Sequence, residues 1–312
     1  MIQTAMAQSA SLPPVDPPAT RVRGATAVLA DYLSLCKPRI VALLLITGYC
    51  AMVVAHRGLP PLALTLWTLL GLGLSSGGAN AVNMWYDRDI DPLMVRTRQR
   101  PVAAARLRPE HALIFGLACE VLSLALLGLA VNWLAALLAL GGFVYYVGIY
   151  TMWLKRRTPQ NIVIGGGAGA FPPLVGWAAV TGVIGVPAVL MFLIVFLWTP
   201  PHFWSLALYR QDDYRRAGIP MMPVARGEAT TKRQALAYAV LLLLVSLLLY
   251  WTHTVGQVYL GVSAILGLGF IAYVLILLRE HAPDVRWAKR TFRYSLIYLT
   301  VLFAVMVLDV RP

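Results

Sequence analysis

Residues 235–250 read ALAYAVLLLLVSLLLY, a run with no charge, no glycine and no proline. Apart from Ser246 and two tyrosines, every side chain in it is aliphatic. A helix of about 20 such residues crosses the hydrocarbon core of a bilayer. The run extends to a full span at 235–254, and similar stretches recur along the chain. Nine spans are read in all, at 40–57, 62–85, 111–131, 133–152, 161–181, 185–208, 235–254, 256–278 and 292–309. The expected fold is all-α and integral to a lipid bilayer, with nine transmembrane helices forming one polytopic domain over 35–312. Residues 1–34 are rich in Ala, Pro and Ser and hold no stretch of spanning length. They read as a disordered cytoplasmic tail ending in a short amphipathic lead-in, with none of the signatures of a secretory signal.

Composition agrees. Hydrophobic residues make up 59% of the chain and charged residues 12%, against about 25% charged in soluble domains. The net charge of +13 would suit nucleic acid or a membrane. Its distribution decides for the membrane: of the 26 Lys and Arg, all but Arg57 and Arg311 fall on one alternating set of connections. By the positive-inside rule those connections face the cytoplasm. The N-terminus is then cytoplasmic and the C-terminus, nine spans later, lies outside a plasma or inner membrane. Cys36, Cys50 and Cys119 lie in or beside apolar segments without metal-ligand spacing and read as small buried hydrophobes. The glycine- and serine-rich GLGLSSGGAN at 71–80, and Gly165, Gly166, Gly167 and Gly169, would let helices approach closely in lipid.

Two cytoplasmic connections are long, 86–110 and 209–234, and they follow spans two and six. Both carry Asp beside Arg, which suggests two four-helix halves each delivering an acidic loop to one cavity. The first loop opens on NMWYDRDID, residues 83–91. Asn83, Asp87 and Asp91 are spaced four apart, so a continued helix would set them on one face. Such a cluster at the end of an apolar span reads either as a capped, solvated loop start or as a ligand site. Oxygen donors of this kind suit Mg²⁺, which shares its shell with phosphate oxygens. Arg96, Arg98 and Arg100 follow, and guanidinium groups match phosphate oxygens two at a time; Lys155, Arg156 and Arg157 close span four. Each of these cations also has a reading as a topological anchor. The second loop has Asp212 and Asp213 near Tyr209. Asp213 is the candidate for a second metal site, and Asp212 for a surface ion pair. Glu120 falls near the middle of span three, where an ionisable group is a functional candidate without an obvious role.

Four segments carry a resemblance. NxxxDxxxD at the end of span two, DRDIDPLMVRTRQRP, YTMWLKRRTPQNIVIGGGAGAFPPLVGW and WTPPHFWSLALYRQDDYRRAGIPMMPV closely resemble the UbiA superfamily of membrane prenyltransferases. Within it they look like the members that farnesylate haem B to make haem O for haem–copper oxidases. The resemblance covers about residues 30–310. It implies a nine-helix UbiA-like bundle, Mg²⁺, farnesyl diphosphate as donor and haem B as acceptor, with haem A synthase as a candidate downstream partner and no nucleic acid. It assigns Asn83, Asp87, Asp91 and Asp213 to metal and catalysis, and Arg96, Arg100, Lys155 and Arg156 to the diphosphate. Tyr209 stands where much of the superfamily has the first Asp of a second DxxxD motif, so the second site has fewer carboxylates than the first. His202, in PPHFW, reads either as a hydrogen-bonded core group or as a ligand or proton carrier beside the haem. Trp85, Tyr86, Tyr145, Tyr146, Tyr150 and Trp204 are candidates to stabilise a farnesyl cation by their ring faces. An enzyme acting on an aromatic or quinone precursor shares the first motif and is the alternative. Transport is disfavoured, since transport sites lie near the midplane and Glu120 is the only carboxylate found there.

Overall fold

The computed structural model describes residues 24–311. The part of the expected tail before residue 24 lies outside the described residues, as does Pro312. A helix, α1 (Ala25–Leu35), lies where the lead-in is expected. It is followed by α2 (Pro38–His56), α3 (Leu62–Tyr86), α4 (Pro109–Ala130) and α5 (Trp133–Val144). The last continues as π-helix over Tyr145–Leu154. Next come α6 (Asn161–Gly165), a tighter 3-10 stretch over Gly166–Ala170, and α7 (Phe171–Thr181). Then α8 (Val186–Tyr209), α9 (Gln211–Arg216), α10 (Met222–Leu248), α11 (Gln257–Leu278) and α12 (Arg286–Leu308) complete the chain. Among the described residues, nine helices are long and apolar enough to cross a membrane, and the protein is a multi-pass membrane protein.

The spanning helices pack in sequence order: α2 on α3, α3 on α4, α4 on α5, α5 on α7, α7 on α8, α8 on α10, α10 on α11 and α11 on α12. Helix α12 returns to α2 and closes the bundle. Lipid supplies no hydrophobic force between helices, so close backbone approach carries much of the adhesion. Two glycine contacts show this. A side chain on Gly176 of α7 would run into the backbone of Gly48 on α2, and one on Gly78 of α3 would meet the Gly116 carbonyl of α4 at 2.6 Å.

Three boundaries depart from hydropathy. The spacing predicts one helix face through Asp91, but α3 ends at Tyr86 and the chain tightens into two 3-10 turns, Asp87–Asp89 and Asp91–Leu93. The backbone leaves α geometry at Asp87, whose φ is −84° and ψ 8°, and Pro92, which has no N–H, cannot rejoin the α-helical ladder beyond it. Helix α10 starts at Met222, well before 235, with a break at Gly227, whose φ is 79°. Charge does not end it because Lys232 is paired inside the protein with Glu228 at 3.1 Å and with the Glu280 carbonyl. Helix α12 likewise starts at Arg286 rather than 292. There Glu280 accepts from the free backbone N–H groups of Trp287 (2.5 Å) and Ala288 (2.9 Å) at the helix start.

The α2–α7 contact makes a clear expectation. Gly176→Val should lower the unfolding stability of the detergent-solubilised protein by about 1–3 kcal/mol through overpacking. Gly261, around which nothing lies within 4 Å, is the control: Gly261→Val should change stability by less than about 0.5 kcal/mol. Equal effects in a chemical-unfolding series would show that this contact does not hold the bundle.

Candidate functional site

The end of α3 delivers Asn83 and Asp87 together. Asn83 Nδ2 donates to Asp87 Oδ2 at 2.8 Å and to Thr151 Oγ1 at 3.2 Å. Lys37, in the left-handed turn between α1 and α2, donates to Asn83 Oδ1 at 3.0 Å. The amide is therefore held from both ends. Asp87 is fully buried and pairs with Lys155, which the π-helical segment sets just past its last turn. Arg156 lies 3.6 Å from the other Asp87 oxygen, and it forks onto Asp89 with two contacts of 2.7 Å. Asp91 takes both of its contacts from Arg100, at 2.9 and 2.8 Å. Its carbonyl accepts from Thr97 at 2.9 Å, which folds the loop back over the carboxylate. Asp213, on α9, pairs with Arg216 and accepts from the backbone N–H of Val95 at 3.3 Å. The two acidic loops thus meet, although the carboxylates sit on separate cations. Among the described residues no three His, Cys, Asp or Glu form a ready-made metal cluster.

The electrostatics follow from crowding. Burial, reinforced by nearby Arg100 and Lys155, holds the Lys37 amine well below the ordinary lysine value, against the pull of Asp91 and Asp87. Burial also lowers Lys155, with Asp87 pulling the other way. Arg156 is raised by its hydrogen bond to Asp89. An anion arriving here would relieve the repulsion among these cations.

Below the charged residues lies a cavity of about 460 Å³. Asn83, Asp91, Arg96, Arg100 and Lys155 line its polar end, and Leu44, Leu72, Phe143, Phe171, Val195 and Leu299 belong to its apolar part. Arg96 reaches it without an ion pair among the described residues. Asp87, Asp213 and Arg156 stand behind this lining and brace it. Ile40 of α2 and Leu296 of α12 line the cavity and are also 54% and 37% exposed, so it opens sideways between the first and last spans.

His202 faces the same cavity from α8. Its ring lies between Trp198 and Phe292, with centroids 4.2 and 4.6 Å away. Nδ1 is 2.7 Å from Ser295 Oγ, and that hydroxyl is 2.7 Å from the Phe292 carbonyl. The carbonyl can only accept, so it takes the hydroxyl proton, and Nδ1 must be the donor to Ser295. The network thereby assigns the tautomer and leaves Nε2 with its lone pair. Of the six aromatic candidates, Tyr146 and Tyr150 line the cavity, stacked 5.6 Å apart. Trp85, Tyr86, Tyr145 and Trp204 do not. Asp212 is at the surface, paired with Arg215 at 2.8 Å. Glu120 is buried in α4 with neither carboxyl oxygen hydrogen-bonded, outside the cavity lining.

Lys37 and Thr151 are the members that sequence reading missed. Lys37 counted only as a topological charge. Its signal was position: a lysine directly before Pro38, where a span begins, is placed to turn inward.

A charged end above an apolar cavity, enclosed by spanning helices, suits a molecule with an anionic head and a hydrocarbon tail. The chain belongs to the UbiA prenyltransferase family, whose model matches residues 44–297. It is 60% identical over 283 residues to the protoheme IX farnesyltransferase of Symbiobacterium thermophilum, covering 91% of this chain and 95% of that one. Among solved structures, a digeranylgeranylglyceryl phosphate synthase superposes with a TM-score of 0.75 at 21% identity, over 90% of this chain and 98% of that one. A UbiA homolog from Archaeoglobus fulgidus bound to DMAPP and Mg²⁺ gives 0.63 at 20%, over 88% and 99%. At these identities the two structures speak to the fold alone.

The Asp91–Arg100 pair gives a stability test. Arg100→Leu would leave Asp91 buried without its cation and should cost about 3–5 kcal/mol. Adding Asp91→Leu should restore most of that loss. A double variant no more stable than the single one, by urea titration in detergent, would mean that the pair is not what holds the loop.

Proposed function

We propose that this protein transfers the farnesyl group of farnesyl diphosphate to a vinyl group of haem B, giving haem O. The observation that carries the reading is the cavity itself: an arginine- and lysine-lined mouth continuous with an apolar interior that His202 faces. The likeness to protoheme IX farnesyltransferase across nearly the whole of both chains supports this donor and acceptor over an aromatic or quinone precursor.

Mg²⁺ fits the residues present. Asp87 Oδ1 and Asp213 Oδ2 are buried and have no hydrogen-bond partner, and the donors are all hard oxygens. Asn83, Asp87 and Asp91 would hold a first ion, and Asp213 would belong to a second site. When bound, Mg²⁺ would offset the charge that develops on departing diphosphate. Arg96, Arg100 and Lys155 bind the diphosphate, and Arg156 holds Asp87 and Asp89 in place. Arg100, Lys155 and Arg156 are held by carboxylates before the reaction, so little reorganisation of these cations is needed as the allylic C–O bond ionises. Tyr146 and Tyr150 offer ring faces to the farnesyl cation. The haem vinyl group attacks that cation, and water adds to the resulting carbocation and releases a proton. Haem enters by the side opening between α2 and α12, and the free Nε2 of His202 faces it as an iron ligand. In this reading the charged residues lie on the cytoplasmic side of an inner membrane, with the C-terminus outside; the charge asymmetry supports it. The product passes to a haem-modifying enzyme, for which haem A synthase is the candidate partner.

The test is the mass of the haem formed from haem B and farnesyl diphosphate by the purified protein. Asp87→Asn and Asp91→Asn should each lower turnover by about a hundredfold or more at saturating Mg²⁺, since each removes a charge from a preorganised site. Near-normal turnover in either variant would refute its assignment. His202→Ala should shift the absorption band of bound haem and weaken haem binding while leaving affinity for farnesyl diphosphate unchanged. An unchanged spectrum with lowered thermal stability would make the histidine purely structural.

A further inference from the structure

The cavity has a measurable depth. On α3 its lining runs from Asn83 through Asn80, Ser76 and Ser75 to Leu72. At about 1.5 Å per residue, Asn83 to Leu72 spans about 16 Å. A farnesyl chain has twelve carbons along its backbone. With C–C bonds of about 1.5 Å it extends about 14–15 Å, and a geranylgeranyl chain extends about 5 Å further. That difference is close to one helical turn of about 5.4 Å.

The floor lies where the next isoprene unit would go. Leu72 is buried, and its side chain sits over Gly48, where a Cβ would meet Leu72 Cδ2 at 2.8 Å and the Pro172 carbonyl at 3.3 Å. Beneath and beside it are small residues, Ala135, Ala136 and Ala139, together with Leu127 and Val175. Leu72 is therefore a branched four-carbon side chain at the cavity floor, in a layer where four alanines leave room beside it. Its bulk approximates the five-carbon unit that separates one prenyl chain from the next.

We propose that Leu72 sets the prenyl chain length at fifteen carbons by closing the floor of the cavity against Gly48. The proposal rests on the reading that a prenyl diphosphate is the donor, and it does not depend on the identity of the acceptor. Ala139 faces the same floor from α5 and gives an independent change in the opposite direction.

The experiment measures affinities of the full-length protein, in detergent with Mg²⁺ and no acceptor, for geranyl, farnesyl and geranylgeranyl diphosphates. Wild type should prefer farnesyl over geranylgeranyl diphosphate. Leu72→Ala should reduce that preference by about tenfold or more, the scale set by small changes in an apolar pocket. Ala139→Leu should shift preference from farnesyl toward geranyl diphosphate by a similar factor, and it tests the floor even if Leu72→Ala does not fold. Unchanged ratios in a folded variant would overturn the proposal. Equal wild-type affinity for all three chains would overturn it too, while leaving the donor class standing. No binding of any of the three would sink both.

Discussion

Asp87 and Asp91 are buried where α3 gives way to irregular chain, and each is held by a cation from a different part of the fold. Lys155 comes from the end of the π-helical segment and Arg100 from the loop that follows. A carboxylate buried without a partner would be strongly destabilising, so these pairs fix where the loop and the segment must lie. Asp213 then fastens the second loop to the first through the Val95 N–H. The cavity mouth, its charge and the approach of the two halves all follow from these attachments.

The interior obeys a different constraint. With no water to drive the helices together, the bundle relies on glycine contacts such as Gly48 with Gly176. Those contacts bring backbones close in some layers and leave side chains to define the space in others. The cavity occupies such a layer, and its walls are consequently determined by single residues rather than by the course of the helices. The same small-residue packing leaves Glu120 enclosed between helices with no hydrogen-bond partner.

Nine spans were legible because apolar length and alternating charge report the same property twice. Asn83, Asp91, Arg96, Arg100 and Lys155 were also legible, as charge packed against an apolar run, and all five reach the cavity. What sequence could not show was pairing over long separations. Asp91 with Arg100 is local, but Asp87 with Lys155 and Asn83 with Lys37 depend on helix packing. Hydropathy ended the seventh span at its charges, whereas Lys232 is buried because Glu228 and the Glu280 carbonyl receive it. The tautomer of His202 was equally hidden, since it depends on Ser295 and Phe292 of another helix.

The opening between α2 and α12, where Ile40 and Leu296 are both lining and exposed, has a kinetic corollary. A greasy molecule that enters there never has to leave the bilayer, so its encounter with the protein is a search in two dimensions. The relevant concentration is then its mole fraction among lipids, not its molarity in the tube. Half-saturation values for such a molecule will scale with the amount of lipid or detergent in the assay. Two preparations of identical protein would report different constants until both are expressed per amphiphile.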